Sequence, residues 1–208
     1  MRMLRRVFAS LVTLAVFTAI AIADTAGFTL TSHFDTVGDF ETVEDAPDAG
    51  FSDTVSLLAT TCDAAAEHGV DVVVERHIGS FGDTPERIGR LFEAVARPNL
   101  ALNYQVLDFL PPGAVDAQPD DARRLVPLAR YLHLKNYRPN PDPQGPLVPG
   151  GSLEGGVLDY RAILAAVVEA GYTGPMTVEF VSWEPLPLEE KLAADVRFAR
   201  TLLAELGR

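Results

Sequence analysis

The feature that most constrains this chain is the run Gly69-Val-Asp-Val-Val-Val-Glu-Arg-His77. Val70, Val72, Val73 and Val74 are β-branched and apolar, which suits a strand covered on both faces, as in a parallel sheet under helices. The run stops at a carboxylate and an imidazole. Glu75 and His77 are two positions apart, so they share one face of that strand. A charge at such a strand end is costly to bury unless it is paired, hydrogen-bonded or bound to a metal. Taken alone, Glu75 reads equally well as the point where the strand meets water.

The rest of the chain repeats the design. Residues 53–68 carry an apolar pattern through Val55, Leu57, Leu58 and Cys62 and stop at Gly69, a helix with a glycine end signal. Thr84-Pro85-Glu86 is a helix start, with threonine as N-cap and proline in the first turn. Ile88, Leu91, Phe92 and Val95 follow as a one-faced helical stripe. The spacing then predicts strands at 99–105, 129–135 and 176–180, and helices at about 119–126, from the Asp159 cap to Gly171, and at 188–206. A Pro/Gly-rich insertion occupies 137–156. Strand–helix alternation with crossovers of this length implies an α/β fold: a parallel sheet with helices outside, either closed as a barrel or open and doubly wound. No glycine fingerprint follows the first regular strand and no phosphate-binding loop is present, so nucleotide binding has no support.

Two stretches precede this region. Residues 1–24 carry Arg2, Arg5 and Arg6 before an uncharged apolar run and read either as an export signal or as a barrel helix and short strand. Residues 25–50 are acidic and turn-rich and read as a long loop, with His33 as a surface histidine. The sequence thus divides at 1–24, 25–50 and 51–208. The first reading places the protein outside the cytoplasm or on a membrane, the second in the cytoplasm.

Composition removes several classes. The 208 residues hold 17 basic against 29 acidic side chains, a net charge of −12 that repels phosphate backbones and anionic membranes. No nucleic-acid partner is expected, and no stable membrane association beyond what 1–24 would supply. Cys62 is the only cysteine, which excludes an internal disulfide and a thiolate metal cluster. It reads as buried packing on its helix.

Polar residues recur where the strands end: Glu75 with His77, Asn103 with Gln105, His133 with Lys135, and Glu179. Glu75 and Asn103 lie 28 residues apart and Asn103 and His133 lie 30 apart, each about one strand–helix unit. The 46-residue step to Glu179 contains the insertion. In a parallel barrel all strand carboxyl ends open on one face, where active sites lie. Two carboxylates, an imidazole and a side-chain amide converging there form a mixed oxygen/nitrogen site suited to Mn²⁺, Mg²⁺ or Co²⁺, with Zn²⁺ admissible.

In order, Val-Glu-Arg-His, Pro-Asn-Leu-Ala-Leu-Asn-Tyr-Gln, His-Leu-Lys-Asn, Leu-Asp-Tyr and Gly-Tyr-Thr-Gly-Pro-Met-Thr-Val-Glu-Phe resemble the xylose isomerase-like TIM-barrel superfamily. That superfamily includes sugar and sugar-phosphate isomerases and epimerases, hydroxypyruvate isomerase-like enzymes, and dehydratases of cyclic polyols. The likeness spans about 53–208 and is most specific at 171–179 together with His133. It implies a (β/α) TIM-barrel type, here partial and missing the first strands. It also implies one divalent metal held by Glu75, His133 and Glu179. Asn103 stands where the family carries an aspartate, with Gln105 facing the same way, so the second ligand is either of these amides. The implied chemistry is proton transfer at a carbon next to a carbonyl of a small keto-sugar or sugar phosphate, with Glu75 and Glu179 as base and acid. His77, Lys135, Arg138 and Trp183 are the implied substrate contacts. For Lys135 and Arg138 a solvated surface pair is the competing reading. Other readings are a metal-dependent dehydratase on the same ligands, or a sugar-binding remnant without turnover. A homo-oligomer is compatible with all of them. Four histidines and the acidic charge argue against the zinc-cluster endonuclease branch.

Overall fold

The computed structural model describes residues 29–32, 48–78, 80–108, 110–179, 182 and 184–208. The 1–24 segment, His33 and Trp183 lie outside these residues, and so do the expectations attached to them.

The chain runs through β1 (Thr29–Ser32), α1 (Asp48–Ala66), β2 (Asp71–Glu75), α2 (Pro85–Val95), β3 (Leu100–Tyr104) and α3 (Gln118–Leu125). It continues through β4 (Ala129–Leu134), β5 (Asn136–Arg138), β6 (Val148–Gly151), α4 (Tyr160–Glu169), β7 (Met176–Val178) and α5 (Leu188–Glu205). Local signals act as their chemistry dictates. Thr84 caps α2 by accepting the Arg87 N–H, and Pro85 begins the helix. Asp159 caps α4 by accepting the Ala162 N–H at 3.0 Å. Gly171 takes a left-handed φ of 72° beyond α4, where a side chain would be strained.

Two expectations change. The 25–50 stretch is not all loop, because Thr29–Ser32 pairs in parallel with Asp71–Val74. Helix α1 begins at Asp48 rather than Asp53. Both starts were hidden because acidic, turn-type residues surround them, and tertiary pairing overrides such weak local preferences.

Five parallel strands form one sheet in the order β1-β2-β3-β4-β7. Every consecutive parallel strand is added on the same side, whereas a doubly wound sheet reverses its strand order part-way. Of the two architectures the alternation allowed, this is the wall of a barrel. The interior position of β2, paired on both sides by β1 and β3, explains its valines. Val72 and Val73 are completely buried, and each such side chain contributes about 1.5–3 kcal/mol by leaving water. Val72, Val74, Leu100, Leu102, Leu132 and Leu134 belong to the core under the helices, with Leu58 and Cys62 of α1 and Ile88, Leu91 and Val95 of α2. The opposite, barrel-facing side is left to Val73, Glu75, Ala101, Asn103, Tyr131 and His133, the alternate positions of the same strands.

The 137–156 insertion is a β5–β6 antiparallel hairpin. Gly151 faces Tyr137 there so closely that a Cβ at 151 would collide with the Tyr137 backbone. Asn136 ties the hairpin down, donating to Leu153 O at 3.2 Å and accepting the Leu158 N–H at 2.9 Å. Among the described residues, no helix is long and apolar enough to cross a membrane.

Candidate functional site

The site forms where β2, β3, β4 and β7 end. Glu75 is the last residue of β2 and pairs in register with Asn103 on β3. The ladder extends one step further through Arg76 N–H to Asn103 O at 3.2 Å, which fixes both residues. His133 pairs with Thr177. The Glu179 N–H donates to Leu134 O at 2.8 Å, so Glu179 is held by the β4–β7 ladder beyond the strand itself. Each side chain stands on rigid sheet backbone.

These positions converge. One donor atom each from Glu75, His133 and Glu179 lie within 4.8 Å of one another. His133 Nδ1 is 3.4 Å from Glu75 Oε1 and 3.7 Å from Glu179 Oε2. The Glu75 side chain is only 6% exposed and that of Glu179 29%, so one carboxylate forms the floor of the site and the other its rim. Asn103 Nδ2 lies 3.3 Å from His133 Nε2. Its partner atom, Asn103 Oδ1, is buried and has no hydrogen-bond partner. Glu179 Oε2 is likewise buried without an aligned hydrogen bond, although Lys135 Nζ lies 3.0 Å away. A buried carboxylate is costly unless its charge is offset, and a cation held by Glu75, His133 and Glu179 would offset it. Carboxylate, amide and imidazole oxygen/nitrogen donors match a hard or borderline divalent metal. The residues therefore fit such an ion.

Gln105 also turns inward, but its amide is engaged. Nε2 donates to Arg76 O at 2.6 Å and to Asp108 Oδ2 at 3.0 Å, and Oε1 lies 3.3 Å from His133 Nδ1. Its contacts are those of a residue that orients His133 and the loop after β3.

Lys135 overturns its surface reading. The residue is completely buried and forms ion pairs with Asp108 and with Glu179. Its backbone is clamped by Tyr160, whose hydroxyl accepts the Lys135 N–H at 2.7 Å and donates to Lys135 O at 2.6 Å. Burial pushes the Tyr160 hydroxyl well above the ordinary phenol range, so it stays protonated for that role. Arg138 is exposed at the end of β5 and borders a cleft with Gly150, Gly151, Ser152, Ser182 and Glu184. His77 joins the site at one remove, with Nε2 3.5 Å from Asp108 Oδ2.

Asp108 was not singled out in the sequence. It lies in the loop after β3, outside the alternation that marks strand ends, and it is among the buried charged residues. Its one local signal is the three-residue spacing from Gln105. Arg76, between Glu75 and His77, is a second omission. It is buried, pairs with Asp121 at 2.5 Å and donates to Asp83 O at 3.1 Å, which locks the loops after β2 and β3 against α3.

The xylose isomerase-like TIM barrel family model matches residues 16–202. The chain belongs to this family. No curated protein matches it. Among solved structures, a xylose isomerase-like TIM barrel protein from Mycobacterium smegmatis in complex with magnesium is 20% identical with a TM-score of 0.56, over 77% of this chain and 51% of that one. A probable 3-DHS dehydratase of petrobactin synthesis from Bacillus anthracis is 18% identical with a TM-score of 0.61, over 83% and 75%. A D-allulose 3-epimerase from Methylomonas sp. is 18% identical with a TM-score of 0.52, over 73% and 55%. At these identities the likeness is one of fold, and this family member spans about half the length of the first and third. The TIM-barrel fold implied by the strand-end motifs holds.

Proposed function

We propose that this chain is a divalent-metal-dependent isomerase or epimerase of small keto-sugars. The observation that carries the reading is the convergence of Glu75, His133 and Glu179 donor atoms within 4.8 Å, with the Asn103 amide 3.3 Å from His133 Nε2. Glu75, Asn103, His133 and Glu179 would hold Mn²⁺, Mg²⁺ or Co²⁺, with Asn103 preferred over the engaged Gln105. When bound, the cation polarises a substrate carbonyl and its neighbouring hydroxyl and offsets the negative charge that develops on them.

The chain's own residues do the rest. His133 would offer a ring nitrogen to the metal, with Gln105 Oε1 3.3 Å from Nδ1 helping to place the ring. Each glutamate has a second oxygen. One of the two carboxylates removes the proton from the carbon next to the carbonyl and the other returns one to the neighbouring carbon or to the opposite face. Glu179, the more exposed, is reached by substrate entering over the rim. Lys135 Nζ, 3.0 Å from Glu179 Oε2, orients that carboxylate. A dehydratase on the same ligands would add protonation of a departing hydroxyl, and product analysis on a cyclic polyol separates the two reactions.

The test is metal analysis of the purified chain, with deuterium incorporation from D₂O into a panel of ketoses, for wild type and Glu179→Gln. Removing a proton-transfer group lowers the exchange rate by about 10²–10⁴-fold. Full exchange in Glu179→Gln, or protein that takes up no divalent metal, refutes the reading.

A further inference from the structure

Tyr131 shares a tier of the sheet with two of the proposed ligands. The register pairs Glu75 with Asn103 and Asn103 with Tyr131, so the three stand side by side across β2, β3 and β4 on the barrel-facing side. His133 is the next barrel-facing residue of β4, and its register partner on β7 is Thr177. The Tyr131 ring meets the His133 ring edge-on, with centroids 5.4 Å apart and planes at 83°. At its far end the Tyr131 hydroxyl is hydrogen-bonded to the Thr177 hydroxyl, which ties the ring across to β7.

The polar contacts of His133 do not fix its ring by themselves. Asn103 Nδ2 lies 3.3 Å from Nε2 and 3.4 Å from Nδ1, so the amide favours neither nitrogen. Gln105 Oε1, Glu75 Oε1 and Glu179 Oε2 all crowd Nδ1, at 3.3, 3.4 and 3.7 Å. A well-formed N–H···O bond is about 2.9–3.0 Å long. The last torsion of a histidine has broad minima, so long and shared contacts define the ring plane weakly. A metal ligand must be aimed to within about 10–20°. The edge-to-face contact supplies the missing constraint, because a phenol ring held at both ends blocks rotation of the imidazole towards it.

We infer that Tyr131 is a positioning residue for His133: with its hydroxyl tied to Thr177, its ring sets the imidazole plane and so aims a ring nitrogen at the Glu75 and Glu179 carboxylates. The consequence for metal binding rests on the reading under Proposed function. The ring placement itself is a property of the chain without metal. Thr177 is exposed, so its hydroxyl can be removed without opening the core.

The experiment measures Co²⁺ affinity and the visible spectrum of the Co²⁺-loaded full chain, well below Tm. Five proteins are compared: wild type, Tyr131→Leu, Tyr131→Phe, Thr177→Val, and Tyr131→Phe combined with Thr177→Val. Tyr131→Leu removes the ring and should weaken Co²⁺ binding at least about tenfold, the lower end of what the loss of a residue that orients a ligand costs. Tyr131→Phe keeps the ring and loses only the tie, so it should recover most of that affinity and fall short of wild type by about threefold. Thr177→Val should match it, and the double variant should be no weaker than either single one, because both remove the same bond. The spectrum should change in Tyr131→Leu and be restored in Tyr131→Phe. A merely structural role would lower the metal-free Tm and leave affinity and spectrum as in wild type. That result, or losses that multiply in the double variant, overturns the inference. Wild type that takes up neither Co²⁺ nor Mn²⁺ sinks the metal-dependent reading alone. The role of Tyr131 is then decided in the metal-free chain by Overhauser contacts between the Tyr131 and His133 ring protons, which need no variant at residue 131. They should be present in wild type and weakened in Thr177→Val, and their absence from wild type or their persistence unchanged in Thr177→Val overturns the inference.

Discussion

Introducing a carboxylate with Asn103→Asp probes the site most directly. Residues 75 and 103 are register partners on β2 and β3, strands that run about 4.8 Å apart. Two carboxylates roughly 5 Å apart at an effective dielectric of 20–40 repel by about 2–3 kcal/mol. His133 and Lys135, the nearby donors, are already shared with Glu75, Glu179 and Asp108. The metal-free variant therefore loses stability, and at about 2–4 °C per kcal/mol for a domain of this size Tm falls by roughly 4–12 °C. A bound cation would reverse the sign, because its two positive charges would attract the new carboxylate that Glu75 repels. We expect Mn²⁺ to bind at least about tenfold more tightly than to wild type, equivalent to about 1.4 kcal/mol. Thermal unfolding in EDTA and in saturating Mn²⁺ shows the two effects as a widened gap, since a ligand stabilises the state it binds according to its affinity. An unchanged Tm in EDTA together with an unchanged Mn²⁺ affinity would mean that residue 103 does not face Glu75 across a metal position, and the ligand set would be wrong.

Two further substitutions test the scaffold. Asp195 on α5 is buried, accepts the Leu153 N–H at 2.8 Å through Oδ1, and has no partner for Oδ2. Burial raises its carboxyl above the ordinary range, so the folded state holds the proton where the unfolded state has lost it. Its contribution to stability therefore declines as pH rises from about 4 through the raised value. Asp195→Asn keeps the acceptor and removes the charge, so its Tm at neutral pH should equal or exceed wild type and the decline should flatten. A steeper decline in the variant contradicts the assignment. Gly151→Ala drives a methyl into the Tyr137 backbone. Overpacking of this kind costs about 1–3 kcal/mol, and limited proteolysis should show faster cleavage within 139–156 than in wild type. Equal cleavage rates would mean that the hairpin does not depend on that close approach.

The barrel wall was legible because its signals are local and mutually consistent. The valines of β2, the Thr84-Pro85 start of α2 and the Asp159 cap of α4 each state a backbone conformation that burial then reinforces. Strand ends were legible for the same reason, since the two-residue period puts Glu75, Asn103 and His133 on one face whatever the loops do. Strand β1 was not. Thr29–Ser32 carries little apolar pattern, and only its pairing with β2 makes it a strand. Asp108 was hidden differently. A residue in an irregular loop has no period, and its ion pair with Lys135 spans 27 positions that only the folded sheet brings together.

Those two kinds of residue divide the labour at the site. The periodic set places the proposed ligands at strand ends, where placement is dictated by register. The residues around it set charge: Asp108 pairs with the buried Lys135, and Asn103 puts a neutral amide in register with Glu75.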